Sequence, residues 1–449
     1  MGQVDASIVQ LALPALKQAF GVSVNDVRWV AIGYPLAYAA CLPVFARVCE
    51  MFGRKLLYLV GFAVFTIASL MCGLAQDLDW LIAFRILQGA GGGMIGANSM
   101  VIVVKAVGPD KRARAIALYT TAQAVGVSSG PVIGGLLLDA LGWHWVFWVT
   151  VPFGLAATIF GWLALPRTVD RAADKPFDWY GALLLMPSLV LVILALNQVS
   201  VWRLTSPAMI VCVVAVPVLL ALFVRQERRT AFPLIDLALF RHRAFVAGIT
   251  GVAFGYALLY GMFFLMSFAL VHGLHESARL AGLKLAVIPV AIGLVAPLSA
   301  VFSERFGSRS IGAAGMVLCI AAIAVLSAIA FKPVGTLVSG LSAFALFGVG
   351  LGLFVSPVSH ATIGAAPASH SSQAAGMINL MRVFGSCVGI STASSMMSLR
   401  MERLAGTAGL DDLFKGSLLL EAIESSLVVL AVFALIAAGV SLVRPRRTQ

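Results

Sequence analysis

Along the chain, apolar residues gather in runs of the length that crosses a bilayer, about 20 residues, separated by short polar links. The pattern predicts fourteen helices, near 1–19, 27–47, 56–75, 79–104, 115–138, 144–166, 179–199, 206–224, 244–270, 278–302, 311–331, 334–358, 373–398 and 421–443. The links are short except around 167–178, 225–243 and 399–420. The stretch RQERRTAFPLIDLALFRHR (225–243) reads as a connector with an interfacial segment, and 399–420 reads as a loop on the opposite face. The expectation is an all-α membrane protein.

Composition supports this. Of the 449 residues 61% are hydrophobic and 11% charged, against about 25% charged in an ordinary soluble domain. A water-exposed surface at this size cannot be built from so few polar groups. The net charge of +12 does not point to nucleic acid, because Lys and Arg sit in short clusters between apolar runs and form no continuous basic face. The six cysteines lie inside apolar runs without metal-ligand spacing, so they read as small core residues and no metal site is expected. No cleavable signal peptide, P-loop, HExxH or nucleophile motif is found. An enzyme or ATP-driven machine therefore lacks the residues it needs.

Basic residues set the topology. Links after even-numbered helices hold Arg47, Arg54, Lys55, Lys105, Lys111, Arg225, Arg228, Arg229, Arg305 and Arg309, whereas the opposite links hold fewer, among them Lys17, Arg28, Arg279 and Arg400. By the positive-inside rule both termini are expected in the cytoplasm. The first apolar run is short: Met1 to Leu16 rises about 24 Å as a helix, so the natural helix is expected to begin upstream.

The chain also repeats itself. ARVCEMFGRK (46–55) after helix 2 and AVFSERFGSR (300–309) after helix 10 share Ala, Glu, Phe, Gly and a final basic residue at identical spacing. GVSSG (126–130) on helix 5 is answered by GSCVG (385–389) on helix 13. The displacements are 254 and 259 residues, eight helices in both cases. Two homologous six-helix bundles, 1–166 and 244–449, are thus expected, with two inserted helices and a connector at 167–243. Repeated halves are a hallmark of secondary transporters, whose site lies where the halves meet.

Four further segments resemble one family. DASIVQLALP (5–14), RILQGAGGG (85–93), GVSSGPVIGG (126–135) and WHWVFWVTVPFG (143–154) look like the helix 1, 4, 5 and 6 motifs of the major facilitator superfamily, in particular its fourteen-helix drug:proton antiporters. The departures are Ala46, Glu50 and Met51 in the cytoplasmic motif, and His144 and Thr150 in the helix-6 motif. Met51 removes one expected salt-bridge partner. The resemblance implies proton-driven export of small, mainly apolar or amphipathic compounds from an inner-membrane protein. It implies no cofactor besides the proton gradient, no nucleic acid and no obligate protein partner. Uptake of a metabolite or organic anion on the same fold is the alternative.

Individual residues then take expected roles. Asp5 lies inside a span, where a charge costs at least about 2.5–3.5 kcal/mol, so it is the candidate proton carrier. Arg85 keeps its proton and must find an acceptor inside the bundle; Asp5 is its natural partner. Arg382 is a further buried cation assigned to coupling, and Lys284 is expected to snorkel outward. Glu50, Gly53, Arg54 and Lys55 form a candidate inner gate that pairs across the halves. Gly126, Gly130, Pro131, Gly134 and Gly135 form a candidate close-packed outer seam. Tyr34, Gln88, Tyr119, Gln123, Tyr256, Tyr260, Phe263 and Asn379 are the candidate ligand contacts, since aromatic surface and a few polar handles suit varied apolar ligands.

Overall fold

The computed structural model describes all residues except 108–111, 166–176, 203–204, 331–336, 368–370, 406–415 and 443–449. Among the described residues the chain is helical and contains no strand. The α-helices are α1 (Gly2–Phe20), α2 (Val24–Phe52), α3 (Arg54–Gly73), α4 (Leu78–Val107), α5 (Arg112–Ala140), α6 (His144–Trp148), α7 (Thr150–Ala164), α8 (Trp179–Gln198) and α9 (Pro207–Glu227). There follow α10 (Arg243–Phe268), α11 (Ala278–Phe306), α12 (Ser308–Val325), α13 (Leu337–Gly364), α14 (Ser371–Ala405) and α15 (Gly416–Leu442). α6 and α7 together make one span, His144–Ala164. Each of the fourteen expected segments is therefore helix over its described residues.

One expectation is corrected. The loop expected from 399 is helical as far as Ala405, and 406–415 lies outside the described residues. The link 167–178 also falls mostly outside them. The connector after α9 carries one short 3₁₀ turn, Leu237–Arg241.

Local chemistry explains the helix ends. α1 stops at Gly21, whose φ of 63° only glycine adopts cheaply, and α2 restarts on a capping box in which Ser23 and Asp26 bond each other's backbone N–H. Gly53 and Gly307 end α2 and α11 at φ 99° and 81°, and each N–H returns to the carbonyl four residues back, Cys49 at 3.1 Å and Ser303 at 3.0 Å. The glycine in both copies of the repeated motif is thus demanded by the same sharp helix-to-helix corner.

Twelve segments among the described residues are long and apolar enough to cross a membrane. α1 falls short in hydropathy because it carries Gln3, Asp5, Gln10 and Lys17, whereas the apolar stretch described on α5, Val125–Ala140, is shorter than a span. These two helices are not lipid-facing slabs; they pack on each other inside the bundle, where Asp5, Ser7 and Gln10 are buried. α9 is the opposite case, an apolar helix laid on α8 with Ile210, Val211, Val213 and Val214 exposed, as a lipid-facing surface requires.

The packing is duplicated. α2 lies on α4, α3 on α4, α1 on α5 and α3 on α7; correspondingly α11 lies on α13, α12 on α13, α10 on α14 and α12 on α15. The two sets meet through α2 with α14, α5 with α11, and α1 with α10. α8 sits against α2 and α14 at the edge of that junction.

Candidate functional site

Two features occupy the junction. The first is a sealed ion pair. Asp5 is fully buried, and its Oδ2 accepts from Arg85 Nη1 at 2.6 Å. Asp5 Oδ1 accepts from Gln88 Nε2 at 3.0 Å, and the same amide group donates to Ser69 Oγ at 2.7 Å. Arg85 also donates through Nε to the Val30 carbonyl at 3.0 Å and through Nη1 to Gln88 Oε1. The Tyr34 ring lies 4.7 Å from its guanidinium carbon and Phe147 5.8 Å. Thus four helices of one bundle are tied together around a carboxylate whose two oxygens are both satisfied. Such a pair is stable only while both charges are present, because removing one leaves the other uncompensated in apolar surroundings.

The second feature is a cavity of about 1270 Å³. Its walls come from both sets of helices: Leu42, Ala46 and Glu50 on α2, Tyr119 and Gln123 on α5, Tyr256 on α10, Pro289 to Pro297 on α11, Leu351 to Ile363 on α13, and Gln373 to Arg382 on α14. On α2, α5, α11, α13 and α14 these stretches lie chiefly in the half of the helix nearest the α2–α3 corner, so the space opens towards that end, where Glu50 is partly exposed. At its inner end Arg382 donates from Nη1 to Gln123 Oε1 at 2.7 Å and from Nη2 to Asn379 Oδ1. Asn379 donates to Tyr38 Oη at 3.1 Å, and Gln123 donates to Tyr119 Oη at 2.9 Å. This polar chain crosses from one bundle to the other.

The opposite end is closed. A methyl group added at Gly135 would lie 2.6 Å from the Ala278 carbonyl oxygen and 3.1 Å from Arg279 Cα, and Gly282 meets the Pro131 carbonyl just as closely. Arg28, fully buried, donates to Ser394 and Ser395 on α14, to Ser200 and to the Asn197 carbonyl at the end of α8. Ser398 donates to Asn25 at 2.7 Å. One closed end and one open end is the geometry of a two-sided carrier caught in one of its states.

A family model of the Major Facilitator Superfamily matches residues 2–390. The chain belongs to the major facilitator superfamily. Among curated relatives, Multidrug resistance protein Stp of Mycobacterium tuberculosis is 30% identical over 395 residues, spanning 88% of this chain and 73% of that protein. Riboflavin transporter RibZ of Clostridioides difficile is 30% identical over 402 residues, 89% of this chain and 86% of that protein. Multidrug export protein EmrB of Haemophilus influenzae is 27% identical, with 88% and 78% covered. Among solved structures, a bacterial homologue of the human lysosomal transporter Spinster, inward-facing and unoccupied, aligns with a TM-score of 0.73 at 16% identity, covering 99% of this chain and 94% of that one. The protein is thus an integral membrane transporter of small molecules, and not an enzyme.

Within this facilitator the candidate residues separate into groups. Asp5, Arg85 and Gln88 form the sealed pair, so Gln88 holds the carboxylate and does not line the cavity. Arg382 shares no hydrogen bond with that group among the described residues and belongs to the cavity; Tyr34, against Arg85, and Tyr38, bonded to Asn379, stand 6.1 Å apart between the two. Tyr119, Gln123, Tyr256 and Asn379 line the cavity; Tyr34, Tyr260 and Phe263 are buried in the packing around it and are not among its walls.

The inner-gate residues lie at the open end of the cavity, where the expected bridge between the halves would be parted. Glu50 pairs with Arg47 at 2.6 Å and Arg54 at 3.4 Å, both on its own side of the junction, so here it makes no bridge between the halves. Lys55 donates to the Trp162 carbonyl at 2.8 Å and to that of Leu165, pinning the start of α3 to the end of α7. Of the seam residues, Gly126, Gly130 and Gly134 face α1 within one bundle, whereas Pro131 and Gly135 face α11 across the junction. Lys284 pairs with Glu276 instead of snorkelling alone.

Arg28 was read as a loop cation and is instead buried at the closed end. Its signal in the sequence was weak, since it sits early in α2 where topology charges are usual. Tyr38 and Ser69, partners of Asn379 and Gln88, also escaped notice because a hydroxyl in an apolar run carries no pattern of its own.

Proposed function

We propose that the protein exports small, mainly apolar or amphipathic compounds in exchange for protons, by rocking two bundles, 1–166 and 244–449, about the central cavity. The observation that carries the reading is the buried Asp5–Arg85 pair beside that cavity. A carboxylate inside a span is expensive, and Arg85 gives it a second stable state: neutralising Asp5 by a proton releases the guanidinium from its partner. Proton occupancy then biases the packing of α1, α2, α3 and α4, all of which the network touches.

In the conformation described, the pair is intact and the cavity opens at the α2–α3 corner, the end that basic residues assign to the cytoplasm. This corresponds to the deprotonated state ready to load substrate from inside. Outward opening must separate α5 from α11 at Gly135 and Gly282, release substrate and let a proton reach Asp5. The names of Stp and EmrB, relatives along most of the chain, support drug export. On this reading the carrier sits in the bacterial inner membrane with both termini inside, needs no cofactor beyond the proton gradient and works without an obligate protein partner.

The test uses purified protein in inside-out vesicles with a fluorescent amphipathic dye supplied in the outer medium. Accumulation must rise on imposing a proton gradient and vanish when a protonophore collapses it. Equal accumulation with and without the gradient would end the proposal. The relative RibZ favours uptake of a metabolite as the second reading; gradient-driven accumulation in right-side-out vesicles, and not in inside-out ones, would select it.

A further inference from the structure

Among the described residues, the cavity holds a guanidinium with no anion to answer it. Arg382 lies at its inner end, and its hydrogen-bond partners, Gln123, Asn379 and the Tyr38 hydroxyl, are all neutral. Its Nε–H is buried without an acceptor. The Tyr256 ring is 5.8 Å from its guanidinium carbon. The two carboxylates on the cavity wall lie near the mouth and are engaged there: Glu50 by Arg47 and Arg54, and Asp236 as the cap of the 3₁₀ turn. Asp5 is taken by Arg85. A guanidinium surrounded by neutral dipoles keeps its charge, and the group that satisfies it best is a planar anion accepting two parallel N–H bonds.

Register strengthens this. The displacement of 259 residues that maps Gly126 on Gly385 maps Gln123 on Arg382, so the two facing residues occupy equivalent places in the two bundles. The structure puts a charge in one copy and a neutral amide in the other. The hydrogen bond between them is also a contact across the moving junction, and an anion at Arg382 competes with Gln123 for the same donor.

We propose that Arg382 is the receptor for an anionic group of the substrate, a carboxylate or similar planar acid carried on an apolar aromatic body. The rest of the wall, including Tyr119, Leu351, Val355 and Met377, receives that body. The inference rests on the export reading and narrows its substrate class. Competition for the Gln123 bond also gives the anion a way to weaken the inter-bundle contact as it loads.

The test is a charge series on one ring system: 2-naphthoate, the neutral 2-naphthamide and the cationic 2-naphthylmethylammonium, titrated calorimetrically into the full chain in lipid nanodiscs. Naphthoate is expected to bind at least about tenfold more tightly than the amide, the scale of a charge-assisted bidentate contact. Arg382→Gln should erase that difference while leaving amide affinity within about twofold, so the amide itself reports that the variant is folded; Arg382→Lys should keep part of it. Equal affinities, a preference for the ammonium, no naphthoate binding, or equal losses of acid and amide in Arg382→Gln overturn the proposal. The coupling reading fails separately: naphthoate that binds with this signature but whose flux ignores the proton gradient sinks antiport and leaves the anion site standing.

Discussion

Asp5→Asn is the sharpest perturbation of the coupling scheme. The amide keeps the size of the side chain and can still meet Gln88, but it cannot carry a negative charge or take up a proton. In the structure Asp5 Oδ2 is the sole carboxylate on Arg85 among the described residues, and both side chains are buried. Losing one partner of a buried pair typically costs about 3–5 kcal/mol, so the variant should unfold at lower temperature in detergent. The functional loss is separable from that. One proton moving through 100 mV supplies about 2.3 kcal/mol, which sustains a substrate gradient of roughly fiftyfold. In vesicles with an imposed potential, Asp5→Asn should lose this accumulation and fall to the equilibrated ratio, while substrate–substrate exchange without a gradient continues. The double variant Asp5→Asn/Arg85→Gln should recover thermal stability, since no orphaned charge remains, yet stay uncoupled. Undiminished gradient-driven accumulation in Asp5→Asn would refute the reasoning outright, whatever its stability.

Other consequences follow from the geometry. Gly282→Leu, introducing bulk against the Pro131 carbonyl, should oppose closure of the α5–α11 end by about 1–3 kcal/mol; thiol labelling of a cysteine placed at Ser359 in the cavity should slow as the inward-open population falls. Gly53→Ala and Gly307→Ala should each destabilise by about 1–3 kcal/mol because their φ values exclude a side chain, whereas Gly293→Ala, with open space around it, should leave the melting temperature within a degree or so of the parent. Arg28→Met should loosen the closed end, lowering the melting temperature and raising labelling of a cysteine at Ser398, with an energy of about 1.5–3 kcal/mol for lost bonds to a charged donor. In the inserted pair of helices, Asp178→Ala should destabilise by about 1–2 kcal/mol through the N-cap of α8, while Glu227→Gln should be neutral or stabilising, because Glu227 Oε1 is buried without a partner among the described residues.

Much of the architecture was legible because bilayer thickness dictates helix length, and the apolar runs mark every helix. The repeat was legible because Gly53 and Gly307 must make the same strained corner, and such a residue leaves a fixed mark. Side-chain neighbours were not. Helical periodicity says that Asp5 and Arg85 face inward, but their meeting depends on α1 and α4 being set against α2 and α5, which is a property of packing. The small-residue pattern of α5 was likewise ambiguous. Its glycines signal close approach but not the partner, and three of them turned out to serve α1 while Gly135 serves α11. Arg28 failed for a different reason. Near a helix end, an arginine that snorkels and one that locks a closed gate have the same sequence surroundings, and only the serines contributed by α14 tell them apart.

The duplication of the scaffold makes its chemical asymmetry informative. Gly126 and Gly130 on α5 press on α1 at Gln3, Val4 and Ser7; Gly385 and Gly389 on α14 press on α10 at Ala253 and Ala257. The helices are thus packed alike, yet α1 carries Asp5 just at this contact and the matching stretch of α10, Ala257 to Leu259, is apolar. Conversely α14 carries Arg382 where α5 carries Gln123. If both bundles bore the same charges, each tilt would meet the same electrostatic cost and a proton would favour neither side. On the proposed scheme, placing the titratable carboxylate in one bundle and the cavity's cation in the other would separate the energy source from the ligand. The Gln123–Arg382 bond and the α1–α10 contact then become the routes by which one bundle can sense the other. A carrier built this way should tolerate exchange of Gln123 and Arg382 (Gln123→Arg with Arg382→Gln) better than transfer of the carboxylate to α10 (Asp5→Ala with Leu258→Asp), because the first keeps one cation in the cavity and the second strands Arg85.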